Sequence, residues 1–259
     1  MREKQVNGLN RLDRWLPQWK SWLMEFSKMR VGRVAAAGLV LAVVCAVFPI
    51  HNRPLEVGMV VGVGMAWVGV LVLLVGNWKR RLLVFFAPLL GVMPFILPGK
   101  PIDPAALRAD YVARLRSYDG THYLWGGESP LGIDCSGLPR RALRDALWAE
   151  GWRRRNGAAF RKWLAQWWFD SSALAMGQGY RGLTRQIGLA GPLWELDRAA
   201  ILPGDLAVRG DGGHVVVYLG DHRWIEADPN LGKVHTWVST SNDGGWYSEM
   251  VVNRWVDCE

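Results

Sequence analysis

Hydropathy divides the chain into an apolar first third and a mixed remainder. Positions 34–50 run without a charge and are rich in Ala, Val and Leu; 57–76 is a second such run and 82–98 a third. The first two reach the length a helix needs to cross a bilayer. The third has 17 residues and holds Pro88 and Pro94, so it reads either as a third span or as a re-entrant hairpin. Ahead of these runs, Leu12, Trp15, Leu16, Trp19, Leu23 and Phe26 recur at three- and four-residue spacing, with Arg14, Lys20 and Lys28 among them. That is the pattern of an amphipathic helix lying on a membrane surface, started or broken by Pro17. Gly58 and Gly62 make one small-xxx-small step, a packing signal that a Gly-rich span also supplies by chance.

Beyond residue 101 the period changes. Leu107, Tyr111 and Leu115 predict a helix over 105–117. Leu138, Ala142, Leu143, Ala146 and Leu147 predict another, running from Cys135 to about Gly151 with Pro139 tolerated in its first turn. Runs at 214–219, 223–227, 233–238 and 250–256 are rich in β-branched and aromatic residues and bounded by Gly, Asp and Asn, which predicts short antiparallel strands. Helices followed by such strands make an α+β domain. The stretch 152–198 carries Arg153, Arg154, Arg155, Trp163, Trp167, Trp168 and Phe169 and is expected to be a helical, Trp-rich insertion. The organisation expected is a basic cytoplasmic segment at 1–33, a membrane anchor at 34–100 and a catalytic domain at 101–259.

Charge sharpens this picture. The net charge is +9 over residues 1–101 and −1 over 102–259. The basicity therefore flanks the apolar runs rather than forming a nucleic-acid footprint on the folded domain. Lys20, Lys28, Arg30 and Arg33 place the N-terminal segment in the cytoplasm, Arg53 is alone among Lys and Arg between the first two runs, and Lys79, Arg80 and Arg81 return the chain to the cytoplasm. If 82–98 crosses, as the loop charges favour, the domain is extracytoplasmic; if not, it is cytoplasmic. A cleavable signal peptide is not expected, because a long polar segment precedes the first apolar run and no small-residue cleavage site follows. Val44 is too large for a lipoprotein site at Cys45.

The three cysteines, Cys45, Cys135 and Cys258, are too far apart for a disulfide framework or a zinc site, and neither metal nor cofactor is expected. Cys135 opens a helix, where the macrodipole favours thiolate, and His214 opens a strand. A nucleophile and its base are assembled in this way from distant parts of a chain. The other four histidines, His51, His122, His222 and His235, read as loop or surface residues.

Around this pair stand Tyr123-x-Trp125-Gly126-Gly127, Gly132-Ile133-Asp134-Cys135-Ser136-Gly137-Leu138, Leu202-Pro203-Gly204-Asp205-Leu206, and Gly213-His214-Val215 through Tyr218-Leu219-Gly220. In this order, over about 105–257, they resemble the NlpC-type cell-wall cysteine peptidases, a papain-like family. The resemblance implies a papain-like fold, peptidoglycan stem peptides as substrate, and cleavage like that of a D,L-endopeptidase. It also implies Cys135 as nucleophile, His214 as base, and Tyr123 as an oxyanion donor beside a backbone N–H near Cys135. The third family position, which orients the histidine and usually carries His, Asn, Asp or Gln, falls on Glu226, with Asp228 as the alternative; Asp134 and Ser136 are secondary candidates. The lipid bilayer is the second expected partner, and an envelope protein a further candidate.

Two rival functions remain open on sequence grounds. One is a thiol hydrolase or acyltransferase acting on a lipid or another amide or ester; the other is a non-catalytic wall-binding module.

Overall fold

A computed structural model of the chain describes residue 25, residues 27–240 and residues 245–259. The amphipathic pattern read over Leu12 to Phe26 lies outside them. The chain divides into two compact units, Met1–Val47 with Pro54–Gly91, and Phe48–Arg53 with Val92–Glu259.

The helices of the apolar third are α1 (Ser27–Val47), α2 (Arg53–Leu73) and α3 (Trp78–Ile96). Each starts several residues before its apolar run, because the Lys, Arg, Met and Glu residues there propagate a helix as readily as the apolar ones that follow. Two helices among the described residues, α1 and α2, are long and apolar enough to cross a membrane. In α3 the first turn carries Lys79, Arg80 and Arg81. The glycines of α2 are not chance: a Cβ on Gly62 would lie 2.6 Å from the Ala42 nitrogen and the Gly38 oxygen, and one on Gly69 2.6 Å from the Ala35 Cβ. Small residues on both helices thus let the α1 and α2 backbones touch.

The second unit is α+β. Its helices are α4 (Pro104–Ser117), α5 (Gly137–Arg154), α6 (Gly157–Trp168) and the short α7 (Ala173–Gly177). A two-stranded ribbon pairs β1 (Glu128–Ser129) with β2 (Gly132–Ile133). The main sheet is built from β3 (Thr184–Gly191), β4 (Leu206–Arg209), β5 (Val215–Gly220), β6 (Arg223–Asp228), β7 (Lys233–Val238) and β8 (Met250–Trp255). Its order is β3-β8-β4-β5-β6-β7, and every neighbouring pair is antiparallel. The segment 152–198, expected to be helical, supplies α6 and α7 and then the edge strand β3. Gly188 and Gly191, both at positive φ, broke the apolar alternation that Ile187 and Leu189 would otherwise signal.

Alternation along the strands feeds two cores. Val215, Val217, Leu219, Ile225 and Ala227 face Leu107, Tyr111, Leu115, Leu138, Leu143 and Leu147 of α4 and α5. Val216, Tyr218, Trp224 and Val252 cover the other face together with Leu193, Leu196 and Ile201. The chain enters this unit through a clamp at Asn156, which is fully buried. Its Oδ1 accepts the N–H groups of Ala158 (3.0 Å) and Lys100 (2.8 Å), and its Nδ2 donates to the Lys100 carbonyl (3.0 Å). Asn156→Ala removes an N-cap and strands two backbone groups of Lys100. We expect a loss of about 2 kcal/mol of stability, read as a lower thermal midpoint of the full chain in detergent. An unchanged midpoint would show that water replaces the clamp.

Candidate active site

The turn before α5 is tied by one carboxylate. Asp134 Oδ1 accepts the N–H of Ser136 (3.0 Å), the Ser136 hydroxyl (3.0 Å) and the N–H of Gly137 (2.6 Å), while Oδ2 accepts the N–H of Gly126 (2.8 Å). The Asp134 N–H in turn donates to the Gly127 carbonyl at 3.0 Å. The two segments approach so closely that a Cβ on Gly137 would sit 2.1 Å from the Gly127 oxygen, so no other residue fits there. Burial raises the Asp134 pKa despite these hydrogen bonds. Asp134 and Ser136 thus form a turn that presents Cys135 and have their polar groups engaged in holding it.

Cys135, half-buried, lies in the turn two residues before the first helical residue, with Ser136 as N-cap, rather than inside the helix as expected. Opposite it His214 opens β5 and is buried. His214 Nε2 is hydrogen-bonded to Glu226 Oε2 on the neighbouring strand β6. Cys135 is near enough to act on the charge of His214, and with Nε2 engaged by Glu226 the ring nitrogen left to serve the thiol is Nδ1. Burial alone would lower the His214 pKa, but Cys135 and Glu226 outweigh it and push it up to about 9. The ring therefore holds its second proton to higher pH than a free imidazole does.

Glu226 is buried and is held from behind. Its Oε1 accepts the Tyr247 hydroxyl at 2.8 Å, and His235 Nε2 lies 3.3 Å from the same oxygen. Asp228, the alternative orienter, accepts the N–H of Asn230 (2.6 Å) and lies 3.6 Å from His235. Glu226, Asp228 and His235 bring three potential ligand atoms within 4.8 Å of one another, a grouping that could hold a cation. A cation there would compete with His214 for Glu226.

Tyr123 packs against the core near the nucleophile. Burial, followed by the charges of Cys135, Asp134 and Asp228, pushes its pKa up to about 12, so its hydroxyl keeps a proton to donate. Trp246 covers the other side of His214, with ring centroids 5.8 Å apart, and carries the Arg209 guanidinium 3.9 Å above its own ring.

A cleft of about 340 Å³ opens on Cys135, lined among others by Trp125, Glu128, Arg140, Gly213 and His51. Trp125 is 78% exposed, a large aromatic left in solvent at the rim. Beneath the cleft, buried Glu128 lies 3.4 Å from Arg140 and 3.2 Å from Arg144, which fastens β1 to α5; Arg140 also pairs with Asp170. Sequence reading passed over these residues and Tyr247, and it read His51 and His235 as loop or surface histidines, whereas both are partly buried, His51 lining the cleft and His235 lying on β7. On a helix Arg140 and Arg144 read as a solvated face, and the other three carry no local pattern.

Residues 120–255 match the family model described as the NlpC/P60 family. Over 54 residues the chain is 48% identical to a protein of Lysinibacillus sphaericus named dipeptidyl-peptidase 6, a match covering 18% of this chain and 20% of that protein. The chain thus spans about a fifth of the length of that curated relative. Among solved structures, NlpC1 of Trichomonas vaginalis is 21% identical over 60% of this chain and 46% of its own, with a TM-score of 0.41. The peptidoglycan hydrolase RipB of Mycobacterium tuberculosis is 23% identical over 64% and 77%, with a TM-score of 0.39.

Proposed function

Since this chain belongs to the NlpC/P60 family, we propose that it is a membrane-anchored cysteine hydrolase that cleaves amide bonds in peptidoglycan stem peptides, in the manner of a D,L-endopeptidase. The observation that carries this is the buried His214–Glu226 pair set beside Cys135, whose side chain lines the cleft.

Cys135 attacks the amide carbonyl carbon as the thiolate; an S–C bond forms and the carbonyl π pair moves to oxygen. The Tyr123 hydroxyl and a backbone N–H at the head of α5 receive that oxyanion. Imidazolium His214 gives its Nδ1 proton to the leaving amine as the C–N bond breaks. The neutral ring then takes a proton from water as water attacks the acyl-enzyme; the C–S bond breaks, the carboxylic acid is released, and the thiolate and imidazolium are restored. Glu226 fixes the ring's orientation and stabilises its charge through both of these steps.

We place the protein in the cytoplasmic membrane as a multi-pass anchor with an extracytoplasmic domain. The apolar character of α1 and α2 and the basic residues Lys79, Arg80 and Arg81 support this.

The test supplies the detergent-solubilised full chain with stem-peptide fragments and, separately, with phospholipid vesicles. New amino termini beside the D-glutamyl residue are expected, with intact phospholipid. Acyl loss from lipid with intact peptides would transfer the same thiol chemistry to a lipid substrate and end the stem-peptide proposal.

A further inference from the structure

The loop Phe48–Arg53 joins α1 to α2, yet it belongs to the same compact unit as the catalytic sheet. Its backbone forms an isolated antiparallel bridge with the residues that precede the nucleophile turn. Ile50 pairs with Gly127, the His51 N–H donates to the Gly126 carbonyl at 2.8 Å, and the Glu128 N–H donates to the Pro49 carbonyl at 3.0 Å. Gly126 and Gly127 are also the residues that Asp134 grips from the other side. Two layers of hydrogen bonds therefore run from the loop to the Cys135 turn.

Side chains lock the loop in place. His51 Nε2 lies 3.0 Å from the Trp167 carbonyl, which can only accept, so that nitrogen carries a proton. The same nitrogen is 3.7 Å from Glu128 Oε2, and the Arg53 guanidinium lies 4.5 Å over the Trp168 ring. The His51 side chain keeps 15% exposure and opens onto the cleft that holds Cys135.

We propose that the loop Phe48–Arg53 is a wall of the active-site cleft, that His51 contacts the bound substrate as a specificity-determining residue, and that α3 is consequently a third membrane crossing. The proposal rests on reading Cys135 as the nucleophile and α1 and α2 as crossings. If both cross, their connecting loop lies on the face opposite to the chain between α2 and α3. Since the loop is built into the catalytic unit, the domain occupies the loop's face. Only a crossing by α3 takes the chain there. Helix α3, Trp78–Ile96, is about 28 Å long at 1.5 Å per residue, at the short limit for this. Lys79, Arg80 and Arg81 then anchor its other end in the cytoplasm.

Two measurements on the full-length protein test this. In a background with Cys45, Cys135 and Cys258 replaced by alanine, Pro54→Cys, Asn77→Cys and Leu231→Cys are labelled one at a time with a membrane-impermeant maleimide. Positions 54 and 231 should react in intact spheroplasts, and position 77 only after permeabilisation. Labelling of 54 and 231 from opposite faces, or of 77 from the same face as 231, overturns the proposal. Second, His51→Ala should raise KM for stem-peptide fragments about tenfold, with a smaller effect on kcat. His51→Gln, whose amide still reaches the Trp167 carbonyl, should match wild type in thermal midpoint but not in KM. Unchanged KM in both variants removes His51 from the substrate site. If the wild-type protein cleaves no stem peptide, the functional reading fails, and the labelling pattern still judges the loop.

Discussion

Cys135→Ala is expected to lower stem-peptide cleavage by on the order of 10³-fold or more, with the fold and its thermal midpoint retained. The change deletes one sulfur atom from a half-buried residue that lies beside the main core, so the packing of α5 on the sheet is unaffected. The turn is held by Asp134 and by the close approach of Gly127 to Gly137, neither of which involves the thiol. What is lost, on the proposed mechanism, is the atom that forms the acyl bond. Ser136, the nearest hydroxyl in sequence, donates to Asp134. Thiol labelling gives an independent readout. Cys258 is 3% exposed, and burial pushes its thiol up to about 12, so it does not react at neutral pH in the folded chain. The difference in alkylation between wild type and Cys135→Ala should therefore be close to one equivalent. A variant that cleaves within tenfold of wild type would move the chemistry to another nucleophile.

How much of this was legible in the sequence follows from the range over which each signal acts. The helices α4 and α5 are local objects. Leu107, Tyr111 and Leu115, and then Leu138 to Leu147, repeat at the helical period, and the same residues form the observed core. The strands β5 to β8 are likewise written in β-branched runs between turn residues. The group behind His214 was less legible, because Glu226 and Asp228 sit two apart on one strand and point the same way. Pattern alone does not separate them; in the structure His214 and Tyr247 are hydrogen-bonded to Glu226, while Asp228 accepts the N–H of Asn230. His51 was illegible for another reason. It lies more than eighty residues before Cys135, in a loop between two apolar helices, and nothing in its neighbours signals a cleft. Arg140, Arg144 and Glu128 defeat sequence reading in a third way. Three charged residues read as surface, and only their mutual pairing makes their burial tolerable.

Glu226→Gln is expected to leave a folded protein whose kcat/KM is down by roughly tenfold near neutral pH and whose pH profile has shifted. In wild type the alkaline limb of activity should fall as pH rises through about 9, where His214 loses the proton it must give to the leaving amine. The glutamine oxygen can still accept from His214 Nε2, so the ring stays aimed at Cys135, but the charge that favours imidazolium is gone. Burial is then opposed mainly by Cys135, and the limb moves down from about 9. Stability follows the same sign. A group whose pKa is raised in the folded state contributes fully below its unfolded value, and that contribution fades as pH rises through the folded one. Wild type should therefore lose stability between about pH 6.5 and 9 by more than the glutamine variant does. Glu226→Ala goes further, because it leaves buried His214 and the Tyr247 hydroxyl without their shared acceptor. It should cost on the order of 3 kcal/mol of stability and about 10²-fold or more in activity. The two variants separate orientation from charge. If Glu226→Gln keeps the wild-type alkaline limb near 9 while Glu226→Ala loses activity, the carboxylate serves only to hold the ring in place, and the charge on His214 is set by Cys135.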